Sequence, residues 1–131
     1  MLMKSLTVVL TVQAIEPCLG FWQERLGFEL TASVPDGDRL GFAMLVKEDV
    51  TIMYQTQESL RKDMPSLGLG EQELVSANLL YISVSSIDEI EKRLEGIEPV
   101  VPRRTTFYGA TEIAVREPGG YLVVFAEHGE H

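Results

Sequence analysis

The sequence repeats one order of secondary-structure elements, and this repeat is its strongest constraint on the fold. Residues 6–12, LTVVLTV, alternate with the two-residue period of a strand. A helix follows, in which Trp22 lies on the apolar stripe and Gly27 can end the last turn. Three more strands are predicted from FELTASV, RLGFAMLV and VTIMYQT, separated by the turns PDGD and KED. The predicted order is therefore βαβββ.

The second half of the chain has the same order. NLLYISV is a predicted strand, and Ser86 with Glu89 fits a capping box at the start of a short helix. EPVVPRRT, TEIAVRE and YLVVFAE supply three further extended segments. The first strands match at an offset of 72 (Val12 with Val84), and the run 41–44 matches the run 112–115 at an offset of 71. This repeated spacing predicts internal duplication.

Duplication predicts a single α+β domain made of two βαβββ modules. We place module 1 at about 4–57, a linker at 58–77 and module 2 at about 78–128. Each curved mixed sheet would have a helix on one face only. The two uncovered faces are therefore expected to surround a concave pocket.

Composition and charge limit the partners. The 131 residues are 45% hydrophobic and 24% charged, as in an ordinary globular domain. A formal charge of −9 disfavours nucleic acid and anionic membranes and favours neutral or cationic partners. The single cysteine, Cys18, and the lack of an apolar run of about 20 residues predict a cytoplasmic protein without membrane spans. The only histidines, His128 and His131, lie in a tail that is a weak zinc candidate, because chain ends usually fray.

Two stretches resemble a known family. TVQAIEPCLGFWQERLGFEL is similar to the opening segment, and FYGATEIAVREPGGYLVVF to the closing segment, of glyoxalase/bleomycin resistance proteins of the vicinal oxygen chelate superfamily. The resemblance implies paired βαβββ modules, a homodimer and a small-molecule pocket. Metal-dependent members hold four ligands at positions that correspond here to Thr7, Met53, Leu79 and Val124. These side chains do not supply a set of nitrogen and oxygen donors, so we expect no metal and no cofactor.

Strand alternation selects the side chains that would face the pocket. Glu112 is the most informative of them, because a carboxylate in an apolar cavity must either stay protonated or meet a cation, and it is the candidate catalytic base. A salt bridge to Arg116 is its alternative role. On the third strand, alternation assigns Gly41, Ala43 and Leu45 to the same pocket face. The predicted ligand-binding residues are Thr7, Met53, Gln55, Leu79, Tyr81, Arg103, Phe107, Tyr108, Glu112, Arg116 and Val124.

Three functions are compatible with this pattern. The first is metal-independent binding or sequestration of a small apolar or aromatic compound, cationic compounds included, in the pocket of a dimer. The second is a lyase, isomerase or dioxygenase-like enzyme, which requires either a different strand register for the metal ligands or catalysis by Glu112, Tyr108 and an arginine without metal. The third is a dimeric scaffold whose pocket no longer binds a ligand.

Overall fold

The computed structural model describes residues 2, 5–65, 79–106 and 109–129, which belong to two compact units, Met1–Leu74 and Val75–His131. The predicted βαβββ order and the α+β class are confirmed in each unit. Among the described residues, no helix has the length and hydrophobicity needed to cross a bilayer.

The first unit is built on one mixed sheet of four strands. Its sheet order is β1-β4-β3-β2, with β1 parallel to β4 and the other pairs antiparallel. The elements of this unit are β1 (Val8–Val12), α1 (Glu16–Gly20), a π-helical turn (Phe21–Arg25), β2 (Glu29–Asp36), β3 (Arg39–Lys47), β4 (Val50–Thr56) and α2 (Gln57–Asp63).

The helical segment after β1 covers one face of this sheet. It begins with Pro17 in its first turn, as predicted, and it ends at Gly27, whose φ of +77° is in the left-handed region that glycine adopts readily. Trp22 is completely buried and donates its Nε1–H to the Tyr54 hydroxyl, 2.8 Å away. We call the face that carries a helix the covered face of a sheet, and the opposite face the open face.

A helix that starts at Gln57 continues into the predicted linker 58–77. Helix α2 directly follows β4, and the Thr56 Oγ1 accepts the Ser59 N–H at 3.1 Å as an N-cap. Gln57 is buried, and its Oε1 accepts a hydrogen bond from Gln13 Nε2 at 2.8 Å. The start of the predicted linker is therefore packed against the first sheet, whereas residues 66–78 lie outside the described part of the chain.

The second unit repeats the sheet with order β5-β8-β7-β6, in which β5 is parallel to β8. Its elements are β5 (Leu79–Ser83), α3 (Ile87–Arg93), β6 (Val101–Thr105), β7 (Ala110–Arg116) and β8 (Leu122–His128). Ser86 Oγ caps α3 by accepting the Glu89 N–H at 3.2 Å, as predicted, but the Glu89 carboxylate binds Arg93 instead of completing the capping box. A second backbone donor of the first turn, the Ile87 N–H, binds Glu127 Oε1 of β8 at 2.7 Å.

The strand registers correct the predicted offset of the third strands. In each sheet one row joins the first, fourth and third strands. These rows are Val9, Met53 and Met44 in the first sheet, and Tyr81, Val124 and Ala114 in the second. The first strands thus match at 72 residues and the fourth strands at 71, but the third strands match at 70 and not at 71.

The predicted faces of β3 were wrong for this reason. Gly41, Ala43 and Leu45 are buried on the covered face, where Ala43 lies opposite Tyr54. The open face instead carries Phe42 and Met44 among its β3 residues. Because side chains alternate along a strand, an error of one residue moves a whole strand's side chains to the other face.

Candidate functional site

The open face of the second sheet combines an apolar centre with polar groups. Val124 and Ala114 are buried there and lie opposite each other, while Leu79 and the ring of Tyr81 are about half exposed. Ala126, in the next row of β8, is completely buried. Aliphatic walls with one exposed aromatic ring are typical of a small-molecule site.

Glu112 is the polar centre of this face. Its residue surface is only 4% exposed, and it lies opposite Arg104 of β6 and Ala126 of β8 in the strand registers. Arg104 Nη2 donates to Glu112 Oε1 at 3.2 Å. Because the Arg104 side chain is 58% exposed, the ion pair is buried at the carboxylate and open to solvent at the guanidinium.

Tyr81 and His128 extend the cluster along the same face. The Tyr81 hydroxyl donates to Glu112 Oε2 at 3.3 Å and lies 3.1 Å from His128 Nε2. The two rings are tilted, with centroids 6.0 Å apart. Arg104, Glu112, Tyr81 and His128 are called the Glu112 cluster below.

Arg104 takes the role that Arg116 was expected to have as the partner of Glu112. Arg116 is exposed, and its Nη1 donates to the backbone carbonyl of Gly120 at 2.8 Å. Glu112 therefore does form a salt bridge, but the predicted partner, Arg116, was wrong: the partner is Arg104.

Arg103 lies away from the Glu112 cluster, on the covered face. Its Nη1 donates to Asp88 Oδ1 and to Glu91 Oε1, both at 2.6 Å, and both carboxylates belong to α3. The hydrogen bonds that the Arg103 guanidinium donates to Asp88 and, second, to Glu91 raise the pKa of Arg103. The structure thus ties Arg103 to the helix. Phe107 and Tyr108, two further predicted binding residues, lie outside the described residues.

The predicted residues of the first unit lie on the open face of its sheet or next to it. Thr7 directly precedes β1, and Met53 lies between Val9 and Met44. Gln55 is half-buried, and its Nε2 donates to Ser59 Oγ at 3.3 Å. This face is therefore mainly apolar in the row through Met53.

The positions at which relatives hold a metal do not fit a divalent ion here. Met53 and Val124 are flanked in their rows by aliphatic, thioether or phenol side chains, and Leu79 is paired with Leu122. Such a site needs three or four nitrogen or oxygen donors. Within the described ranges, no three His, Cys, Asp or Glu side chains are grouped closely enough to hold a metal ion.

The tail residues Glu127 and His128, considered above as weak zinc ligands, lie on opposite faces of the second sheet. Glu127 and His128 are consecutive strand residues, so their side chains point in opposite directions. Glu127 binds the start of α3, and His128 contacts Tyr81 on the open face. Glu130 and His131 lie outside the described residues.

The family follows from a comparison over almost the whole chain. The model of the Glyoxalase/Bleomycin resistance protein/Dioxygenase superfamily matches residues 4–125. The chain belongs to this superfamily. A comparison with proteins of curated function finds no match.

Solved structures of the superfamily share the fold at low sequence identity. A glyoxalase/bleomycin resistance protein/dioxygenase from Nocardioides is 19% identical, with 99% of this chain and 87% of that chain covered and a TM-score of 0.74. TioX from Micromonospora sp. ML1 is 19% identical, with 96% and 99% covered and a TM-score of 0.72. The bleomycin-binding protein of bleomycin-producing Streptomyces verticillus, solved with copper(II)-bleomycin, is 22% identical, with 98% of each chain covered and a TM-score of 0.64.

Two members of the Glu112 cluster were missing from the predicted binding residues. Arg104 is adjacent to the predicted Arg103, and only the pairing of β6 with β7 shows which arginine faces Glu112. His128 could have been found by extending the alternation of β8 by two residues, because Ala126 and His128 share a face. The alternation that places His128 on this face was present in the sequence, but His128 was assigned to a tail that was expected to fray.

Proposed function

We propose that the protein binds a small apolar or aromatic compound, cationic compounds included, at the open face of the second sheet, without a metal and as a homodimer. The observation that carries this proposal is the Glu112 carboxylate, which is 4% exposed on a largely apolar face. A buried carboxylate requires a cation or hydrogen-bond donors. Its present cation, Arg104, is 58% exposed, so a ligand cation can compete with it for the carboxylate.

The surroundings of Glu112 support an apolar or aromatic ligand body. Val124 and Ala114 are buried aliphatic residues at the centre of this face, and Leu79 and Tyr81 remain about half exposed beside them. Tyr81 can stack on a planar ligand and attract a cation through its ring face. A structural neighbour that binds copper(II)-bleomycin gives a first compound to test.

We propose binding without a metal because the side chains lack suitable metal-ligating atoms. Thr7, Met53, Leu79 and Val124 stand at the positions that correspond to metal ligands in relatives, and together they offer only one hydroxyl among aliphatic and thioether groups. We therefore assign ligand recognition to the Glu112 cluster and not to a metal centre.

A proton-transfer enzyme is the second candidate, and one observation favours it. The Tyr81 hydroxyl lies within 3.3 Å of Glu112 Oε2 and 3.1 Å of His128 Nε2, which groups a carboxylate, a phenol and an imidazole. Such groups can act as general base and general acid. Conversion of a co-purified compound by the wild type, and its loss in Glu112→Gln, would favour this function over sequestration.

The first experiment is native mass spectrometry of the purified protein, with metal analysis on the same sample. We expect a metal-free dimer, with or without a retained organic compound. One tightly held divalent ion per chain would contradict metal-independent binding.

Binding itself is tested by calorimetry with copper(II)-bleomycin, metal-free bleomycin and the aromatic diamidine pentamidine. We expect at least one to bind, and Glu112→Gln to weaken that binding by about tenfold or more, since a hydrogen bond to a charged group is altered. Glu89→Gln is the matched control, because it makes the same change on exposed α3, where Glu89 pairs with Arg93. Lack of binding to all three probes would overturn the proposal.

A further inference from the structure

The Tyr81 hydroxyl lies within hydrogen-bond distance of both a carboxylate and an imidazole but has only one proton to donate. It contacts Glu112 Oε2 at 3.3 Å and His128 Nε2 at 3.1 Å. When its proton points to Glu112, His128 Nε2 must carry a proton and donate to the phenol oxygen. When His128 Nε2 is bare, the phenol can donate to the imidazole instead. The two arrangements differ in whether Tyr81 donates a hydrogen bond to Glu112.

Protonation of His128 selects one of these arrangements. An imidazolium carries protons on both ring nitrogens, so its Nε2 can only donate. The Tyr81 proton is then directed to Glu112 Oε2. Neutral His128 with a bare Nε2 permits the opposite direction, in which Tyr81 no longer donates to the carboxylate and a ligand N–H can take that place.

The charges around His128 also make cation binding at Glu112 depend on the protonation of His128. In the described part of the second unit, the titratable and charged groups on its face are Tyr81 of β5, Glu112 of β7, Arg104 of β6 and, at the far end of β7, Arg116, which binds the Gly120 carbonyl. Glu127, its neighbour in the chain, points to the covered face and binds the start of α3. A charged His128 would thus add a second cation beside the one carboxylate of the open face.

We propose that His128 determines specificity at this site by controlling, through Tyr81, whether Glu112 receives a hydrogen bond from a cationic ligand. The ligand class is an aromatic amidine or a protonated aromatic amine, which binds when His128 is neutral and is rejected when His128 is charged. An uncharged amide of the same shape is not repelled by the imidazolium. This inference rests on the proposed function and adds the chemical class of its ligand.

The test compares pentamidine with the corresponding uncharged bis-amide by calorimetry at pH 5.5 and pH 8. Histidine side chains ordinarily change charge near pH 6.5, between these two values, whereas amidines stay protonated at both. For the wild type we expect pentamidine to bind about tenfold more weakly at pH 5.5, and the bis-amide to bind with an affinity that changes less than threefold. We also expect pentamidine binding to release protons between these two pH values, measured in two buffers of different ionisation enthalpy.

Two variants assign the effect to one residue. His128→Asn should remove both the pH dependence of pentamidine binding and the proton release. His131→Asn, which changes the only other histidine of the chain, should keep both. Pentamidine binding whose pH dependence is the same in wild type and His128→Asn would overturn this inference alone, whereas lack of pentamidine and bleomycin binding would overturn the proposed function with it.

Discussion

The Trp22 indole donates a 2.8 Å hydrogen bond to the Tyr54 hydroxyl, and both side chains are completely buried between the helical segment and the first sheet. Tyr54→Phe would leave the indole N–H without this acceptor in an apolar region. We expect the free energy of unfolding to fall by about 1–3 kcal/mol, as for a buried donor that loses its partner. Urea denaturation followed by circular dichroism measures the change. In a Trp22→Phe background the same substitution should cost less, and an equal cost in both backgrounds would contradict the coupling.

A second prediction concerns the ion pair of Glu112. Arg104→Gln removes the guanidinium 3.2 Å from a nearly buried carboxylate and should lower the free energy of unfolding by about 1–2 kcal/mol. We keep the figure below that of a fully buried pair, because Arg104 is largely exposed. The double variant Arg104→Gln/Glu112→Gln should recover part of the loss, since no buried charge remains. Chemical denaturation of both variants checks this.

Arg116→Gln is the control for that prediction. It makes the same substitution on the same face of the sheet, one strand away, but Arg116 is exposed and donates to the Gly120 carbonyl. A change within about 0.5 kcal/mol is expected. If Arg116→Gln were as destabilising as Arg104→Gln, the special role of the Glu112 pair would be refuted.

Gly41 provides a third prediction, because it lies on the covered face and not where strand alternation had placed it. A Cβ at this position would approach the Asp36 Cβ to 2.8 Å and the Ser59 Cβ to 3.2 Å. Gly41→Ala should therefore destabilise the protein by about 1–3 kcal/mol in thermal or urea denaturation. Gly20→Ala is the contrasting variant: the nearest atom to its new Cβ would be Glu24 Oε2 at 3.7 Å, and helical geometry should make it neutral or stabilising by up to about 1 kcal/mol. Equal effects of the two variants would contradict the close approach at Gly41.

The fourth prediction is a dependence of stability on pH through Glu16. Its carboxylate accepts the Leu40 N–H at 2.7 Å, and this hydrogen bond lowers the pKa of Glu16 in the folded protein below its ordinary 4.5. A lowered folded pKa stabilises the protein above the unfolded pKa, and this stabilisation is lost as the pH falls through the folded value. Glu16→Ala should therefore cost stability at pH 7, by less than about 1 kcal/mol because the group is exposed, and less at pH 3. Urea denaturation at the two pH values, with Glu29→Ala as an exposed control, measures it; a cost that grows at pH 3 would count against this role.

Most of the fold could be predicted from local patterns in the sequence. The alternation of LTVVLTV and YLVVFAE, Pro17 and Gly27 around the first helix, and Ser86 before α3 all act within a few residues, and each corresponds to the observed element. The faces of β3 could not be predicted from local patterns alone. They depend on the spacing between the third and fourth strands, which differs by one residue between the two units. The third strands are therefore offset by 70 residues and the fourth strands by 71, and a difference of one residue reverses the face of a strand.

The candidate site was predicted in part for a similar reason. Glu112, Tyr81 and Val124 follow from alternation within strands, and the structure places all three on one open face. The ion-pair partner of Glu112 depends instead on how β6 pairs with β7, and this pairing contains a register shift. The shift places Arg104 opposite Glu112, while Arg103 points to α3. Side-chain neighbours from separate strands are set by tertiary structure, so a single sequence offers several candidates.

The last two residues of β8 serve two different parts of the second unit. Glu127 holds the first amide of α3, and His128 touches Tyr81 on the other side of the sheet. Pulling this strand end away from the sheet would release both contacts in one event. A protease that removed this strand end would therefore free the first amide of α3 and take the imidazole out of the Glu112 cluster in a single cut.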